Sequence, residues 1–301
     1  MIRKYIYKAG EKDDGRKISS YLKDRGYSAR ILTTLRHTEG SIFLNGTEVH
    51  MNEMLSPGDE VEVVLAEKAS DKVIPTEIPL NIIYEDDDIL VVNKPYGMPS
   101  HPSRGVAETT LGNAIEFYLE KKGQAGIYRC VNRLDKDTSG LTIIAKNPLS
   151  GAVLYELVKN REVKRTYFAI AVGIFDEKEG RIDLPICRKE EGSQLRCVDR
   201  KNGVRAVTNY RVIKEGKTHS LIELSLETGR THQIRVHMSY IGHPLEGDAL
   251  YNPNKCRMKR HALHAGKLAF EHPITKEKLL FEADMPDDMK EFIKDSFEEK
   301  R

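Results

Sequence analysis

Residues 130–145 read Cys130-Val131-Asn132-Arg133-Leu134-Asp135-Lys136-Asp137-Thr138-Ser139-Gly140-Leu141-Thr142-Ile143-Ile144-Ala145. The last five form a β-rich run with the look of a buried strand. The residues feeding it are dense in charge and hydrogen-bonding groups. Such groups are costly to desolvate against a core strand, so they usually have a functional reason. A turn built on an Asx motif is the plainer alternative.

Further β-rich runs recur at 82–84, 89–92, 167–172 and 220–226, while 109–121 and 149–159 read as helices. Strands outnumber helices and do not alternate strictly with them. The expected class is therefore α+β with a mixed or antiparallel sheet, not a doubly wound fold. A second dense segment, Glu227-Thr228-Gly229-Arg230-Thr231-His232-Gln233-Ile234-Arg235-Val236-His237, also follows a strand. Its two arginines suit a carboxylate or a phosphate.

Residues 1–66 read as a small α/β module of their own. Ile18, Tyr21 and Leu22, then Ile31, Leu32 and Leu35, are apolar at helical spacing, with Ser28 placed to cap the second helix. Asn45-Gly46 fits a tight hairpin, and Pro57-Gly58-Asp59 turns into an alternating strand at 60–65. Residues 67–79 carry Pro75 and Pro79 without a sustained period and read as a linker. Residues 80–301 form the larger, strand-rich domain.

The chain's 301 residues suffice for a sizeable core without staples, and 48 bases against 46 acids leave a net charge of only +2. Bulk charge therefore advertises neither nucleic acid nor membrane. Along the chain, however, the charge is segregated. Residues 16–36 hold six bases (Arg16, Lys17, Lys23, Arg25, Arg30, Arg36) against Asp24 alone. Residues 252–267 hold Lys255, Arg257, Lys259, Arg260 and Lys267 with no acid, and residues 284–301 hold seven acids against four bases. The basic stretches are expected to grip phosphate, with a solvated face as the alternative.

Four cysteines (Cys130, Cys187, Cys197, Cys256) with no C-x-x-C pair make neither a disulfide scaffold nor a zinc site. The first residues lack the apolar core of a signal peptide. The longest run free of Asp, Glu, Lys and Arg, 236–245, is far shorter than a membrane helix. A soluble, reduced, cytoplasmic protein is expected, without membrane contact.

Several familiar motifs fail on inspection. Gly216-Lys217-Thr218 resembles the end of a phosphate loop, but Arg211 stands where its first glycine belongs. Asp135-Lys136-Asp137 mimics the start of a calcium loop, but Lys146 occupies the position of the bidentate Glu. His261 and His264 near Cys256 have no carboxylate close in sequence, so no metal is expected.

Taken together, the ordered blocks resemble the RluA-type family of RNA pseudouridine synthases, which includes the RluD-like ribosomal RNA enzymes. These blocks are Asn93-Lys94-Pro95-Tyr96-Gly97 with His101, Asn132 through Leu141, Lys164-Arg165-Thr166-Tyr167 with Gly173, Gly229 through His237 with Gly242-His243-Pro244 and Gly247-Asp248, and Arg260-His261-Ala262-Leu263-His264-Ala265 with His272-Pro273. They span 93–273. The front module resembles the ribosomal S-four-like RNA-binding domain through Gly15-Arg16, Ile18, Leu22, Ser28, Asn45-Gly46 and Gly58-Asp59. Asn132 departs from the His that many relatives carry, leaving its role open.

The resemblance implies a mixed-sheet catalytic domain that isomerises specific uridines of structured RNA, large-subunit ribosomal RNA first and transfer RNA as the alternative. It implies no cofactor, no metal and a monomer. Asp135 would be the catalytic carboxylate, acting as nucleophile or as the base that starts elimination. Arg235 would be its salt-bridge partner, and Tyr167 the ring that stacks under the base. Arg133 would fill the gap left by the flipped nucleotide. Arg16, Lys17, Arg30, Arg36, Arg230, His232, Lys259 and Arg260 are the further expected RNA contacts, with His232 and His101 read as loop scaffolding, not catalysts. Two rival classes share the residues: a nucleobase-excising glycosylase, and an inactive RNA-binding protein.

Overall fold

Asn45 and Gly46 both take positive φ, 49° and 81°, the conformation that a two-residue hairpin turn demands. That turn joins two of the four strands of the front module in the computed structural model, which describes residues 2–68, 73–103, 105, 107–124, 126–254 and 256–297. The module runs β1 (Ile2–Lys8), α1 (Ile18–Lys23), α2 (Ala29–Arg36), β2 (Ile42–Leu44), β3 (Thr47–Glu48) and β4 (Glu60–Ala66). Its antiparallel sheet has the order β1-β4-β2-β3. Ser28 Oγ accepts from Ile31 N and so caps α2, as its spacing predicts. β1 was not expected from sequence, because Arg3, Lys4 and Lys8 interrupt any apolar–polar alternation across its seven residues.

The larger part continues with β5 (Ile82–Glu85), β6 (Ile89–Lys94), α3 (Leu111–Lys121), β7 (Ser139–Ala145), α4 (Pro148–Lys159) and β8 (Lys164–Val172). Next come β9 (Glu179–Asp183), β10 (Ile186–Arg188), β11 (Arg196–Val198), β12 (Val207–Glu215), β13 (His219–Leu226) and α5 (Gln233–Tyr240). β14 (Leu263–Glu271), β15 (Lys278–Glu282) and α6 (Asp287–Phe297) complete it. The main sheet has the order β5-β6-β7-β14-β8-β13-β12-β9, with β15 added to β14. The β7–β14 pair is parallel and its neighbours are antiparallel, which makes the sheet mixed and the class α+β.

Every residue of β7 is buried. Ile144 joins Leu90 and Val92 against α3, whereas Leu141 and Ile143 join Ile89 and Val91 on the opposite face beside Leu154 of α4. This two-sided covering explains why the run carries no alternation. On the far half of the sheet, Tyr167, Ala169, Ile222 and Leu224 pack against Ile234 and Met238 of α5. α6 lays Met289, Phe292 and Phe297 over Ile170 and Leu221.

The segment 67–79, leaving aside 69–72, which lie outside the described residues, is held against the larger part of the chain. Glu67 pairs with Arg129, Asn113 Nδ2 donates to Ile74 O at 2.7 Å, and Ile78 packs into the α3 cluster. The front module also packs against the larger part of the chain. Leu149 and Val153 of α4 are part of the same hydrophobic cluster as Tyr21, Tyr27 and Ile31, and Arg3 bridges to Asp87 and Asp88. Among the described residues no helix is long and apolar enough to cross a membrane.

Candidate active site

The loop between Cys130 and β7 is tied at almost every residue. Asn132 is buried; its Nδ2 donates to Leu141 O at 3.0 Å and its Oδ1 accepts from Ile143 N at 2.8 Å. This gives a residue whose role was open a definite one: it locks the loop's entrance to the strand that receives its exit. Ser100 Oγ donates to Leu134 O at 2.8 Å. Lys94, wholly buried, donates to Pro95 O, Met98 O and Lys136 O at 2.8, 2.8 and 3.1 Å. Arg260 Nη1 donates to Asp137 O at 3.1 Å. Thr138 and Ser139 hydrogen-bond to His261 and His264 at 2.8 and 2.9 Å. At the exit, Gly140 has φ +118°, and a Cβ there would lie 2.3 Å from Ala265 O, so only glycine permits β7 to meet β14.

These ties present Asp135 at the edge of a cleft of about 660 Å³. Arg235 Nη1 donates to Asp135 Oδ2 at 3.3 Å, while Nε and Nη2 of the same guanidinium form two 2.7 Å bonds with Asp248. Burial opposes the charge on Arg235, but Asp248 and then Asp135 outweigh it and hold the guanidinium above its ordinary range. Burial also opposes the Asp248 carboxylate, and Arg235 more than offsets that, holding it below its ordinary range. Gln233 anchors the start of α5, its Oε1 accepting from Thr228 Oγ1 and Arg230 N and its Nε2 donating to Val207 O.

His232 takes φ +57° at the N-terminal edge of α5. Tyr251 OH accepts from Arg196 N at 2.8 Å and shares a second hydrogen bond, also 2.8 Å, with His232 Nδ1. His232 Nε2 lies 3.9 Å from Asp135 Oδ2. Burial pushes this imidazole below its ordinary pKa. Tyr167 lines the same cleft, and burial pushes its phenol up, so the ring stays protonated at neutral pH. Arg133, Lys159, Arg161, Arg165 and Arg230 add positive charge along the cleft.

The structure therefore brings together Asp135, Tyr167, Arg235, Arg133, Arg230 and His232. It separates others from the expected RNA contacts. Arg260 is buried, with Nε and Nη2 on Asp288 at 2.7 and 2.9 Å, and it supports the loop instead of facing solvent. Arg16 is half-buried between Asp13 and Asp24. The basic stretch 252–267 is neutralised in space by acids distant in sequence: Arg257 pairs with Asp295, Arg260 with Asp288, and Lys267 with Glu282. Lys255 lies outside the described residues, and Lys259 is exposed. In the front module, Lys17, Arg30 and Arg36 are exposed, Lys17 and Arg36 along a groove of about 950 Å³ with His37 and His50.

Sequence reasoning gave no role to Asp248 or Lys94. Arg235 and Asp248 lie thirteen positions apart, across the end of α5 and an irregular loop, so no periodicity joins them. An acidic residue inside an apolar stretch was the available signal. The group Asp86, Asp88 and His272 lies close enough for a metal, yet its atoms are engaged with protein: Asp86 takes Asp88 N, Ile89 N and Tyr84 OH, and His272 Nδ1 takes Ile274 N and Thr275 N.

Residues 88–240 match the family model described as RNA pseudouridylate synthase. The chain is 43% identical over 259 residues to the uncharacterized RNA pseudouridine synthase YlyB of Bacillus subtilis (strain 168), covering 85% of each chain. It is 41% identical over 268 residues to ribosomal large subunit pseudouridine synthase D of Vibrio cholerae serotype O1, covering 84% of this chain and 82% of that one. Among solved structures, human RNA pseudouridylate synthase domain containing 1 superposes with a TM-score of 0.58 at 28% identity, covering 73% of this chain and 86% of the other.

Proposed function

The chain belongs to the RNA pseudouridylate synthase family, and from that premise we propose that Asp135 attacks the target nucleotide with Arg235 and Tyr167 as its partners. The reaction converts uridine in RNA to pseudouridine, so the protein is an isomerase. The bond from the anomeric carbon to N1 of the base breaks, the base turns, and a new bond forms to C5, whose proton then leaves.

The observation that carries the assignment is the 3.3 Å contact between Asp135 and a guanidinium already clamped by Asp248, on the wall of a cleft that Tyr167 lines. A carboxylate held by one Arg nitrogen keeps its other oxygen for the sugar, either as nucleophile at the anomeric carbon or as the base that starts elimination. The protonated Tyr167 ring offers a flat surface for the detached base. Arg133, exposed at the loop's edge, is suited to enter the stack that the flipped nucleotide leaves. Arg230 and the cleft's other bases contact phosphates.

The substrate is large-subunit ribosomal RNA, extending to this chain what the name of the Vibrio relative states. Residues 1–66 form an S-four-like RNA-binding module whose exposed Lys17, Arg30 and Arg36 grip the backbone at a distance from the cleft. The chain works as a monomer in the cytoplasm. Pseudouridine mapping of ribosomal RNA from cells with and without the gene tests the reading. Loss of defined sites on deletion, restored by the wild-type gene and not by Asp135→Ala, is expected. An unchanged map overturns the ribosomal substrate, and release of free uracil by the purified protein overturns the residue roles in favour of base excision.

A further inference from the structure

β10 and β11 form a separate two-stranded hairpin in which Cys187 lies directly opposite Cys197. Their sulfurs are 3.5 Å apart, and both residues are half-buried, within reach of small molecules. The bonds Lys189 N to Leu195 O and Asp199 N to Pro185 O, two residues to either side, make this a hydrogen-bonded cross-strand pair. Such a pair has a Cα separation of about 5.5 Å, inside the range a disulfide spans. Asp199 is the nearest carboxylate, 3.8 Å from Cys187 Sγ, but it already accepts from Lys201 N, Asn202 N and Asn202 Nδ2. Two thiols and one occupied carboxylate make a poor metal site.

The hairpin is joined to the catalytic cleft twice. Arg196, next to Cys197, donates its backbone N–H to Tyr251 OH, which in turn bonds His232, the neighbour of Asp135. The Tyr251 ring also lies 5.1 Å from the Arg235 guanidinium. Ile186 and Val198, which flank the cysteines, pack with Val236, the residue after Arg235.

We propose that Cys187 and Cys197 are a reversible thiol–disulfide site whose oxidation acts on the cleft through Arg196, Tyr251 and His232. The oxidant is a small-molecule disulfide such as oxidised glutathione. One cysteine, as thiolate, attacks it, forming a mixed disulfide and expelling one glutathione thiolate. The second cysteine loses its proton and attacks the protein sulfur of that mixed disulfide, expelling the second glutathione. Two cysteine thiols are oxidised by two electrons, the two glutathione sulfurs are reduced, and the two protons end on the released thiols. The sulfurs close from 3.5 Å to about 2.0 Å, which draws β11, with Arg196, towards β10. The neighbouring thiol pushes the Cys187 thiol up to about 11, which lowers its thiolate fraction at neutral pH and slows its attack on an oxidant.

The test treats the full-length reduced protein with oxidised glutathione and maps its peptides without reduction. A Cys187–Cys197 cross-link that dithiothreitol reverses is expected, with Cys130 and Cys256 left unlinked. Glutathione adducts alone, or cross-links through other cysteines, overturn the site. This readout is independent of the reaction assigned above. Activity on ribosomal RNA from the deletion strain then reports the coupling. A loss of roughly ten- to a hundred-fold on oxidation is expected, since a displacement of about 1 Å near the chemistry has effects of this size. Cys187→Ser is expected to keep basal activity and escape the loss. Equal sensitivity of wild type and Cys187→Ser, or a cross-linked enzyme with undiminished activity, overturns the coupling.

Discussion

Arg235 reaches Asp135 with a single nitrogen at 3.3 Å while committing two nitrogens to Asp248 at 2.7 Å each. The stronger attachment is to the residue that never meets substrate. Asp248 is fully buried and fixes the guanidinium plane, and Asp135 is then aligned against a cation that cannot follow it into the cleft.

Asp248→Ala should therefore be a folding mutation first. It strands a buried guanidinium whose remaining carboxylate is partly exposed, at a cost of about 3–5 kcal/mol. Urea unfolding of the purified variant measures this. A loss below about 1 kcal/mol would show that Asp135 alone suffices to hold Arg235.

Arg235→Lys keeps the charge but not the planar fork, so it cannot serve both carboxylates in one geometry. Activity should fall by roughly a hundred-fold with most of the fold retained. Single-turnover rates on ribosomal RNA, alongside a thermal melt, separate the two effects. Wild-type rates in a stable Arg235→Lys protein would reduce the requirement to charge alone.

Lys94 is a positioning residue. Burial pushes its amine down to about 7, yet the carbonyls of Pro95, Met98 and Lys136 call for all three of its protons. Lys94→Met fills the volume and removes the buried charge, so the protein should fold while the loop loses its tie at Lys136. The turnover rate should drop by about ten-fold or more with RNA affinity nearly unchanged. A parallel loss of affinity would move Lys94 from loop support to the RNA surface.

Gly140→Ala tests the junction that brings the loop to the sheet. The added Cβ meets Ala265 O at 2.3 Å and Ala265 N at 2.6 Å, both backbone atoms that cannot swing aside, at a φ that disfavours any side chain. Strain and overpacking together should cost on the order of 3 kcal/mol. A melting temperature equal to wild type would mean that β7 and β14 separate without penalty.

Much of this architecture was legible along the chain, and the failures share one cause. The β7 run, the Asn45-Gly46 hairpin and the α4 helix were readable because neighbouring residues determine them. The dense loop announced Asp135 because charge beside a core strand is rare. Residues 284–301, by contrast, read as an acidic tail, although Met289, Phe292 and Phe297 give α6 its buried face at helical spacing. Counting charge masked the period. The same counting made 252–267 look like an RNA surface, when Asp288, Asp295 and Glu282 neutralise three of its bases from elsewhere in the chain. Pairing between distant segments, including Arg235 with Asp248 and Leu149 with the front module, is a property of the folded state alone.

The pH dependence of stability should carry the signature of the histidines behind the loop. Burial, aided by Arg235, pushes His261 down to about 4 from the ordinary 6.5, and burial lowers His232, His237 and His264 as well. A folded pKa below the unfolded one means that, between about 6.5 and 4, the unfolded chain holds a proton that the folded chain refuses. Stability from His261 is thus present above pH 6.5 and lost as pH falls towards 4, by roughly 3 kcal/mol. Urea midpoints should fall across pH 6.5, 5.5 and 4.5. His261→Gln, which keeps a partner for Thr138 Oγ1 without a titrating ring, should flatten that fall. An identical slope in His261→Gln would place the acid sensitivity in the other histidines. Because His261 touches the loop through Thr138, the turnover rate should decline along the same limb before the protein unfolds.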